Sequence, residues 1–295
     1  RAELYNFDVD QPEPLVPSHR RYGVVERMLH TGQPQTEIDY DQLGQLISQL
    51  PEVEAVAVCF LFSYVNPTHE QTTVDMLKQK FGQTLVSISA SHQILPEYRE
   101  FERFSTTIAN AYVQPKMQKY LHFLDTKLTE QFGPPHTIGQ PKLQIMQSNG
   151  GSISVKTASQ IPIRTALSGP AGGVIGASVF SQIAGYDRVI TFDMGGTSTD
   201  VSLCDQKISL TTESKISGVP IQIPMIDIHT VGAGGGSIAQ VDVGGALKVG
   251  PESAGADPGP ACYGRGDFPT VTDANMFLGR IEPNHFLGGK MELYS

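Results

Sequence analysis

The pattern of apolar and polar positions divides the chain into predicted strands and helices. A near-continuous apolar run at residues 53–62 indicates a strand buried on both faces, as in a parallel sheet. Alternating or apolar runs bounded by turn residues predict further strands at 22–29, 85–90, 142–147, 207–216, 225–231 and 238–243. Apolar residues at helical spacing predict helices at 41–50, 67–81, 96–132, 168–184 and 272–280.

The order of these elements predicts an α/β fold. The strand at 53–62, the helix at 67–81 and the strand at 85–90 form one βαβ unit. The long helix at 96–132 follows, and Pro115 is expected to kink or split it. A helix of this length between α/β parts suits a connection between two lobes.

A hairpin at residues 189–203 is the most informative stretch for function. An apolar, β-branched run ends in Asp193, a turn with two glycines follows, and a second alternating run begins at Thr199. Gly195 and Gly196 leave backbone N–H groups uncovered, so that an anion can approach. The hydroxyl groups of the next three residues add donors at the same place: Thr197, Ser198 and Thr199. The pattern therefore favours a phosphate-binding hairpin over one in which the glycines only satisfy turn geometry.

Two acidic residues flank this turn. Asp193, at a strand end, could hold Mg²⁺ through water or orient an attacking water molecule. Asp200 could share that role or only cap the turn, and both readings stay open.

Two other glycine-rich segments are candidates for anion contact. The segment 168–173 opens a helix, so it could receive an anion at the helix N-terminus or pack closely against a sheet. A second loop follows the strand at 225–231 and has the glycine density of a nucleotide-contacting turn, although a flexible turn remains the alternative; its candidate residues are Gly232, Gly234, Gly235, Gly236 and Ser237. His229, just before it, could touch substrate or phosphate, but a lone histidine at a strand end is more often structural.

Composition narrows the class of protein. The 295 residues suffice for two domains, and the net charge of −9 without a basic, aromatic-rich patch argues against nucleic acid binding and mildly against anionic membranes. The most apolar run is too short to span a bilayer. Three cysteines form neither a disulfide framework nor a zinc motif, which suggests a reducing, cytoplasmic location. Cys262 could be a nucleophile or a packing residue within the predicted surface loop 256–264.

Several strings of the chain resemble the hydantoinase A / 5-oxoprolinase family, which also includes subunits of acetone and acetophenone carboxylases. The matching strings are VEAVAVCFLFSYVNP (53–67), ERFSTTIANAYV (102–113), MQSNGG (146–151), LSGPAGGVIG (167–176), TFDMGGTSTDV (191–201), DIHTVGAGGGSIA (227–239), GPESAGADPGPACYG (250–264) and TDANMFLG (272–279). The resemblance implies the actin/hexokinase/heat-shock-chaperone ATPase fold, with ribonuclease-H-like lobes. Residues 193–200 match its second phosphate motif, and the loop 232–237 lies where related ATPases place a glycine turn.

The chain departs from that family pattern at both ends. It has one phosphate hairpin where the fold normally has two, and no later Gly-Gly-Ala-Gly-Pro string occurs. We therefore expect lobes truncated at both ends, with the remainder of a first-lobe domain at 1–95 and an incomplete second-lobe domain at 96–295. The isolated chain is expected to bind MgATP weakly or not at all and to be inactive.

The resemblance implies ATP-dependent opening of a cyclic amide such as a hydantoin or 5-oxoproline, with ATP and Mg²⁺ as cofactors. The expected partner is a hydantoinase B type subunit or a fused C-terminal half. Two alternatives remain: a subunit of an ATP-dependent ketone carboxylase, and a non-enzymatic actin-like or chaperone-like ATPase.

Overall fold

The computed structural model describes residues 13–82, 86–133, 143–216 and 218–294. Its strands are β1 (Arg27–Met28), β2 (Pro34–Thr36), β3 (Ala55–Val58), β4 (Ser87–Ala90), β5 (Gln144–Met146), β6 (Ser152–Ser154), β7 (Arg188–Met194), β8 (Thr199–Asp205), β9 (Lys207–Ile208), β10 (Leu210–Ile216), β11 (Val219–Ile226), β12 (His229–Val231), β13 (Ser237–Val241) and β14 (Leu247–Ser253). Its α-helices are α1 (Tyr40–Gln49), α2 (Thr68–Phe81), α3 (Ser91–Ile94), α4 (Glu100–Phe132), α5 (Val155–Gln160), α6 (Ser168–Ile183) and α7 (Val271–Phe277).

The chain forms two compact units. The first comprises residues 1–168 and 210–225, and the second comprises 169–209 and 226–295. The α/β class is confirmed. None of the described helices is both long enough and apolar enough to cross a lipid bilayer.

The first unit contains the predicted βαβ unit. β3 and β4 pair in parallel, from Ala55 opposite Ser87 to Val58 opposite Ala90, and α2 connects them. Asp39 caps α1 by accepting a hydrogen bond from the Gln42 backbone N–H at 3.0 Å. The hydrophobic core lies between these strands and the two helices, with Leu43, Ile47, Val58, Val74 and Leu77 buried at its centre.

The long helix α4 runs unbroken from Glu100 to Phe132, so the predicted split at Pro115 is wrong. Proline removes one backbone donor, yet packing of α4 against β3, β4 and α5 over much of its length holds the helix together. Its C-terminal half keeps the helical spacing of apolar residues that predicted it. The helix ends at Phe132 and is followed by Gly133, which has a φ of 83°.

A buried polar network, which was not predicted from the sequence, connects α2, α4 and the ends of β3 and β4. The Glu70 carboxylate is 0% exposed and accepts hydrogen bonds from the backbone N–H of Phe60 at 2.7 Å, from Ser91 Oγ at 2.6 Å and from His92 Nδ1 at 2.7 Å. The Arg103 guanidinium, which is 1% exposed, donates to the carbonyl of Phe60 at 3.0 Å. Burial alone would raise the pKa of Glu70, but these hydrogen bonds outweigh it and lower the pKa below its ordinary value.

The alternating stretch after β8 divides differently from the prediction. Residues 207–216 form two strands rather than one: β9 pairs with β8, whereas β10 pairs with β11 in a separate two-stranded sheet. The predicted strand 225–231 is also divided, because β11 ends at Ile226 and β12 begins at His229. Alternation predicts a strand, but it does not say which strand is its partner.

Further differences concern the ends of the chain and its loops. The predicted strand at 22–29 reduces to β1, and the strand β2, which begins at Pro34, is not predicted. β14 is not predicted, although it pairs with β13 in an antiparallel hairpin. Residues 85 and 142, at the starts of two predicted strands, lie outside the described residues.

Candidate functional site

The predicted phosphate hairpin forms, and it lies entirely in the second unit. β7 and β8 pair antiparallel, and the four-residue turn 195–198 is closed by a hydrogen bond from the Gly195 N–H to the Ser198 carbonyl at 2.8 Å. Gly195, Gly196 and Thr197 are exposed. Among the described residues, the backbone N–H groups of Gly196 and Thr197 have no hydrogen-bond partner. The turn therefore presents two successive free donors, which is the arrangement that binds anions.

The two acidic residues of the motif lie side by side. Asp193 is directly opposite Asp200 in the hairpin, so both side chains project from the same face of the sheet. Asp200 Oδ1 accepts a hydrogen bond of 2.6 Å from the hydroxyl of Thr230 on β12. Asp193 is exposed at the end of β7, and Oδ2 of Asp193 lies 3.7 Å from the position that a Cβ atom on Gly173 of α6 would take.

This donor set fits Mg²⁺ bound together with a phosphate. Mg²⁺ usually takes one or two carboxylates and completes its octahedron with water and phosphate oxygens. Asp193 and Asp200 supply two carboxylates beside the free N–H groups of the turn. Within the described part of the chain, no group of three or more His, Cys, Asp or Glu side chains forms a metal-binding cluster made of protein ligands alone.

The glycine-rich loop packs directly on the turn. Its Gly235 and Gly236 N–H groups donate to the carbonyls of Gly195 at 3.0 Å and of Gly196 at 2.6 Å. A Cβ atom on Gly234 would lie 2.6 Å from the carbonyl carbon of Gly196. Glycine is therefore required at Gly234 because the two backbones approach too closely for any side chain.

The remaining loop residues support the same contact. Ser237 is buried, and its Oγ accepts from the Gly234 N–H at 2.8 Å. Thr199, also buried, donates its hydroxyl to the carbonyl of Ala233. Gly232 is exposed at the start of the loop. The loop N–H groups of Gly235 and Gly236 are thus engaged within the protein, and contact of this loop with a nucleotide stays a prediction.

His229 does not join the two carboxylates. It lies opposite Val201 in the β8–β12 pairing, and Val201 lies opposite Phe192. Because side chains alternate between faces along a strand, His229 projects from the face opposite to Asp193 and Asp200. Phe192 is 68% exposed on that second face.

The helix α6 begins at Ser168, as predicted, and its small residues pack against the hairpin. Ala171 and Val174 lie in a buried cluster with Cys204 of β8 and Ile226. Of the two readings of this segment, close helix–sheet packing is therefore observed.

Two residues at the start of α7 were not predicted as part of the site, and one of them contacts the glycine-rich loop directly. Thr272, at the start of α7, donates both its backbone N–H and its hydroxyl to the carbonyl of Gly235, each at 2.8 Å. Asp273 completes a capping box with Thr270 and also accepts from the backbone N–H of Cys262 at 2.7 Å. The Thr-x-x-Asp spacing is a visible signal for the cap, but the contact with Gly235 spans 37 residues.

Cys262 lies inside the predicted surface loop but is itself 2% exposed. Burial and the neighbouring Asp273 raise the pKa of its thiol to about 12. A thiol in this state is a poor nucleophile, so the packing role is the one the structure supports. Pro260 is buried as well, and the prediction of a surface loop is wrong for these two residues.

Comparison with known proteins identifies related sequences over nearly the whole chain. A family described as Hydantoinase/oxoprolinase matches residues 103–295, and its N-terminal region matches residues 1–81. The caprolactamase subunit alpha of Pseudomonas jessenii is 38% identical over 99% of this chain and 42% of its own length. The 5-oxoprolinase of Saccharomyces cerevisiae is 40% identical over 79% of this chain and 17% of its own length.

A solved structure extends the likeness to the fold. The nucleotide-free structure of acetone carboxylase, an enzyme of ATP-dependent acetone carboxylation, has a TM-score of 0.77 and is 30% identical over 96% of this chain. The chain spans 40% of that protein. It thus corresponds to less than half the length of each of these proteins.

Proposed function

Because the chain belongs to the hydantoinase/oxoprolinase family, we propose that it is the phosphate-binding part of an ATP-dependent enzyme that opens cyclic amides. The observation that carries this proposal is the turn with free N–H groups at Gly196 and Thr197, placed beside the paired carboxylates of Asp193 and Asp200. Caprolactam and 5-oxoproline, the substrates that the relatives' names indicate, are both cyclic amides.

In the proposed reaction the amide oxygen attacks the γ-phosphorus of ATP and ADP leaves. Water then adds to the activated carbon, and the ring C–N bond breaks as the nitrogen takes up a proton, which leaves an acyl phosphate. A second water molecule hydrolyses this acyl phosphate to a carboxylate and inorganic phosphate. Phosphoryl transfer depends mainly on positioning and charge neutralisation. The N–H groups of the turn would hold phosphate oxygens, and Asp193 would position a Mg²⁺ ion or the attacking water. Asp200, oriented by Thr230, would support Asp193.

Further parts of the proposal rest on the family. They are the actin-like ATPase lobes, the domain division between residues 95 and 96, the use of Mg²⁺, a partner subunit of the hydantoinase B type and a cytoplasmic location. The names of relatives that are subunits, such as caprolactamase subunit alpha, support the expectation of a partner.

Replacement of Asp193, whose carboxylate is proposed to position Mg²⁺ or the attacking water, tests this function. In the intact protein with its partner subunit, Asp193→Asn should lower cyclic-amide-dependent ADP release by about a hundredfold or more. The reason is that the negative charge on the transferring phosphoryl group would no longer be stabilised by a correctly positioned Mg²⁺ ion. Asp205→Asn is the matched control, since Asp205 lies at the other end of the same hairpin and its exposed carboxylate forms an ion pair with the exposed Arg188. Near-normal turnover by Asp193→Asn would remove Asp193 from this role.

Ketone carboxylation is a second candidate, favoured by the fold likeness to acetone carboxylase. ADP release that depends on a ketone and bicarbonate, and not on a cyclic amide, would select it. The same hairpin would serve both reactions, so the Asp193 test applies to either one.

A further inference from the structure

The peptide groups behind the phosphate turn are connected in two hydrogen-bonded chains. In the first chain, the carbonyl of Gly235 accepts two donors from Thr272, each at 2.8 Å. That carbonyl shares its peptide unit with the N–H of Gly236, which donates to the Gly196 carbonyl at 2.6 Å. The Gly196 carbonyl in turn shares its peptide unit with the free N–H of Thr197. The chain thus leads from Thr272 through two peptide units to the turn.

The second chain runs parallel to the first. The Ser237 N–H donates to the carbonyl of Gly234 at 3.0 Å, and the N–H of the same peptide unit, on Gly235, donates to the Gly195 carbonyl at 3.0 Å. The peptide unit that contains this carbonyl carries the free N–H of Gly196. The two chains therefore end at the N–H groups of Thr197 and Gly196 in the turn.

Hydrogen-bonded amides polarise one another, and each donor that binds a carbonyl strengthens the N–H of the same peptide unit. All the dipoles in these chains have the same sense, with the positive end at the Gly196 and Thr197 N–H groups. Thr272 adds to this effect because its hydroxyl and backbone N–H bind the same oxygen. A Cβ atom on Gly234 would lie 2.6–2.7 Å from the atoms of the Gly196–Thr197 peptide group. The two backbones are therefore too close for another side chain to lie between them.

We propose that Thr272 is a positioning residue for anion binding. Its hydroxyl acts through the Gly235–Gly236 and Gly196–Thr197 peptide groups and makes the Thr197 N–H a stronger donor to phosphate. This inference rests on the proposed function for its ligand, but the hydrogen-bonded chain itself can be tested without nucleotide.

The test compares Thr272→Val, which loses the hydroxyl and keeps the backbone N–H, with Thr272→Ser, which keeps both. The protein is the intact polypeptide with selective ¹⁵N-threonine labelling. In the absence of nucleotide, Thr272→Val should move the Thr197 amide proton upfield, and Thr272→Ser should leave it near the wild-type position. The KM for MgATP should rise about threefold in Thr272→Val, with the wild-type value restored in Thr272→Ser.

Ser181→Ala is the matched control, because the Ser181 hydroxyl also donates to a backbone carbonyl, that of Ala177, at 2.7 Å in the same unit. It should change neither the Thr197 resonance nor the KM. An unchanged Thr197 resonance in Thr272→Val would overturn the inference, even if that variant were less stable. If wild-type protein does not bind MgATP at all, the proposed function fails, and the Thr197 resonance alone decides whether Thr272 polarises the turn.

Discussion

Replacing Gly234 with alanine is the sharpest test of the contact between the glycine loop and the phosphate turn. The new Cβ would lie 2.6 Å from the Gly196 carbonyl carbon and 2.7 Å from the Thr197 nitrogen. Both neighbours are backbone atoms, so they cannot rotate away as a side chain would. Restoring an ordinary carbon contact requires the two segments to separate by about 1 Å.

The expected loss of stability follows from three contributions. Overpacking of this kind costs about 1–3 kcal/mol. The hydrogen bonds from Gly235 and Gly236 to the turn weaken as the segments separate, at about 1 kcal/mol each. The reduced freedom of alanine in the unfolded chain offsets about 0.4–1 kcal/mol. The net destabilisation is therefore about 2–5 kcal/mol.

Urea denaturation of the intact protein measures this loss. Gly176→Ala provides the control. Gly176 lies inside α6 of the same unit, and no atom outside the helix backbone lies within 4 Å of the position that a Cβ atom would take there. The same chemical change should there stabilise the protein, by up to about 1 kcal/mol. If the two variants shift the denaturation midpoint in the same direction, the close backbone contact is not what determines the residue at Gly234.

Two further predictions concern groups outside the phosphate site. Glu70→Gln should destabilise the protein by about 1.5–3 kcal/mol near pH 7, since it removes a buried acceptor of charge-assisted hydrogen bonds. The pKa of Glu70 is lowered on folding from an ordinary 4.5, so its stabilisation is complete above about pH 4.5 and declines as the pH falls further. The difference between wild type and Glu70→Gln in urea should consequently shrink below pH 4.5, and a constant difference would contradict the reasoning. Iodoacetamide at pH 8 should modify Cys59, Cys204 and Cys262 only after denaturation, because burial raises the pKa of all three thiols; rapid labelling of the native protein would show otherwise.

The sequence predicts the local elements of the site well, because the signals for them are local. The hairpin around the turn 195–198 and the helix α6 at Ser168 both follow from neighbouring residues. Periodicity and turn chemistry act over fewer than ten positions, and nothing elsewhere in the fold overrides them here.

Long-range contacts account for most of what could not be predicted. The alternation of residues 210–216 fits a third strand of the hairpin sheet equally well, and only the paired structure shows that β10 joins β11. Thr272 carries no local sign that its hydroxyl binds Gly235, because the same residue type at a helix start usually faces solvent or caps the helix. The glycine loop illustrates the same limit: its composition indicates close approach to something, and the neighbour proves to be the Gly195–Gly196 backbone.

The alternation of faces in the hairpin makes the length of its turn a strict requirement. Asp193 and Asp200 share one face only because four residues, 195–198, separate β7 from β8. Removing or adding a single residue there would shift the register by one position and turn Asp200 to the face that carries Phe192 and His229. The peptide contacts from Gly235 and Gly236 hold the same four residues in place from the other side. We therefore expect substitutions to be tolerated at the exposed positions of this turn. Insertions and deletions would separate the two carboxylates and are expected to be excluded from it.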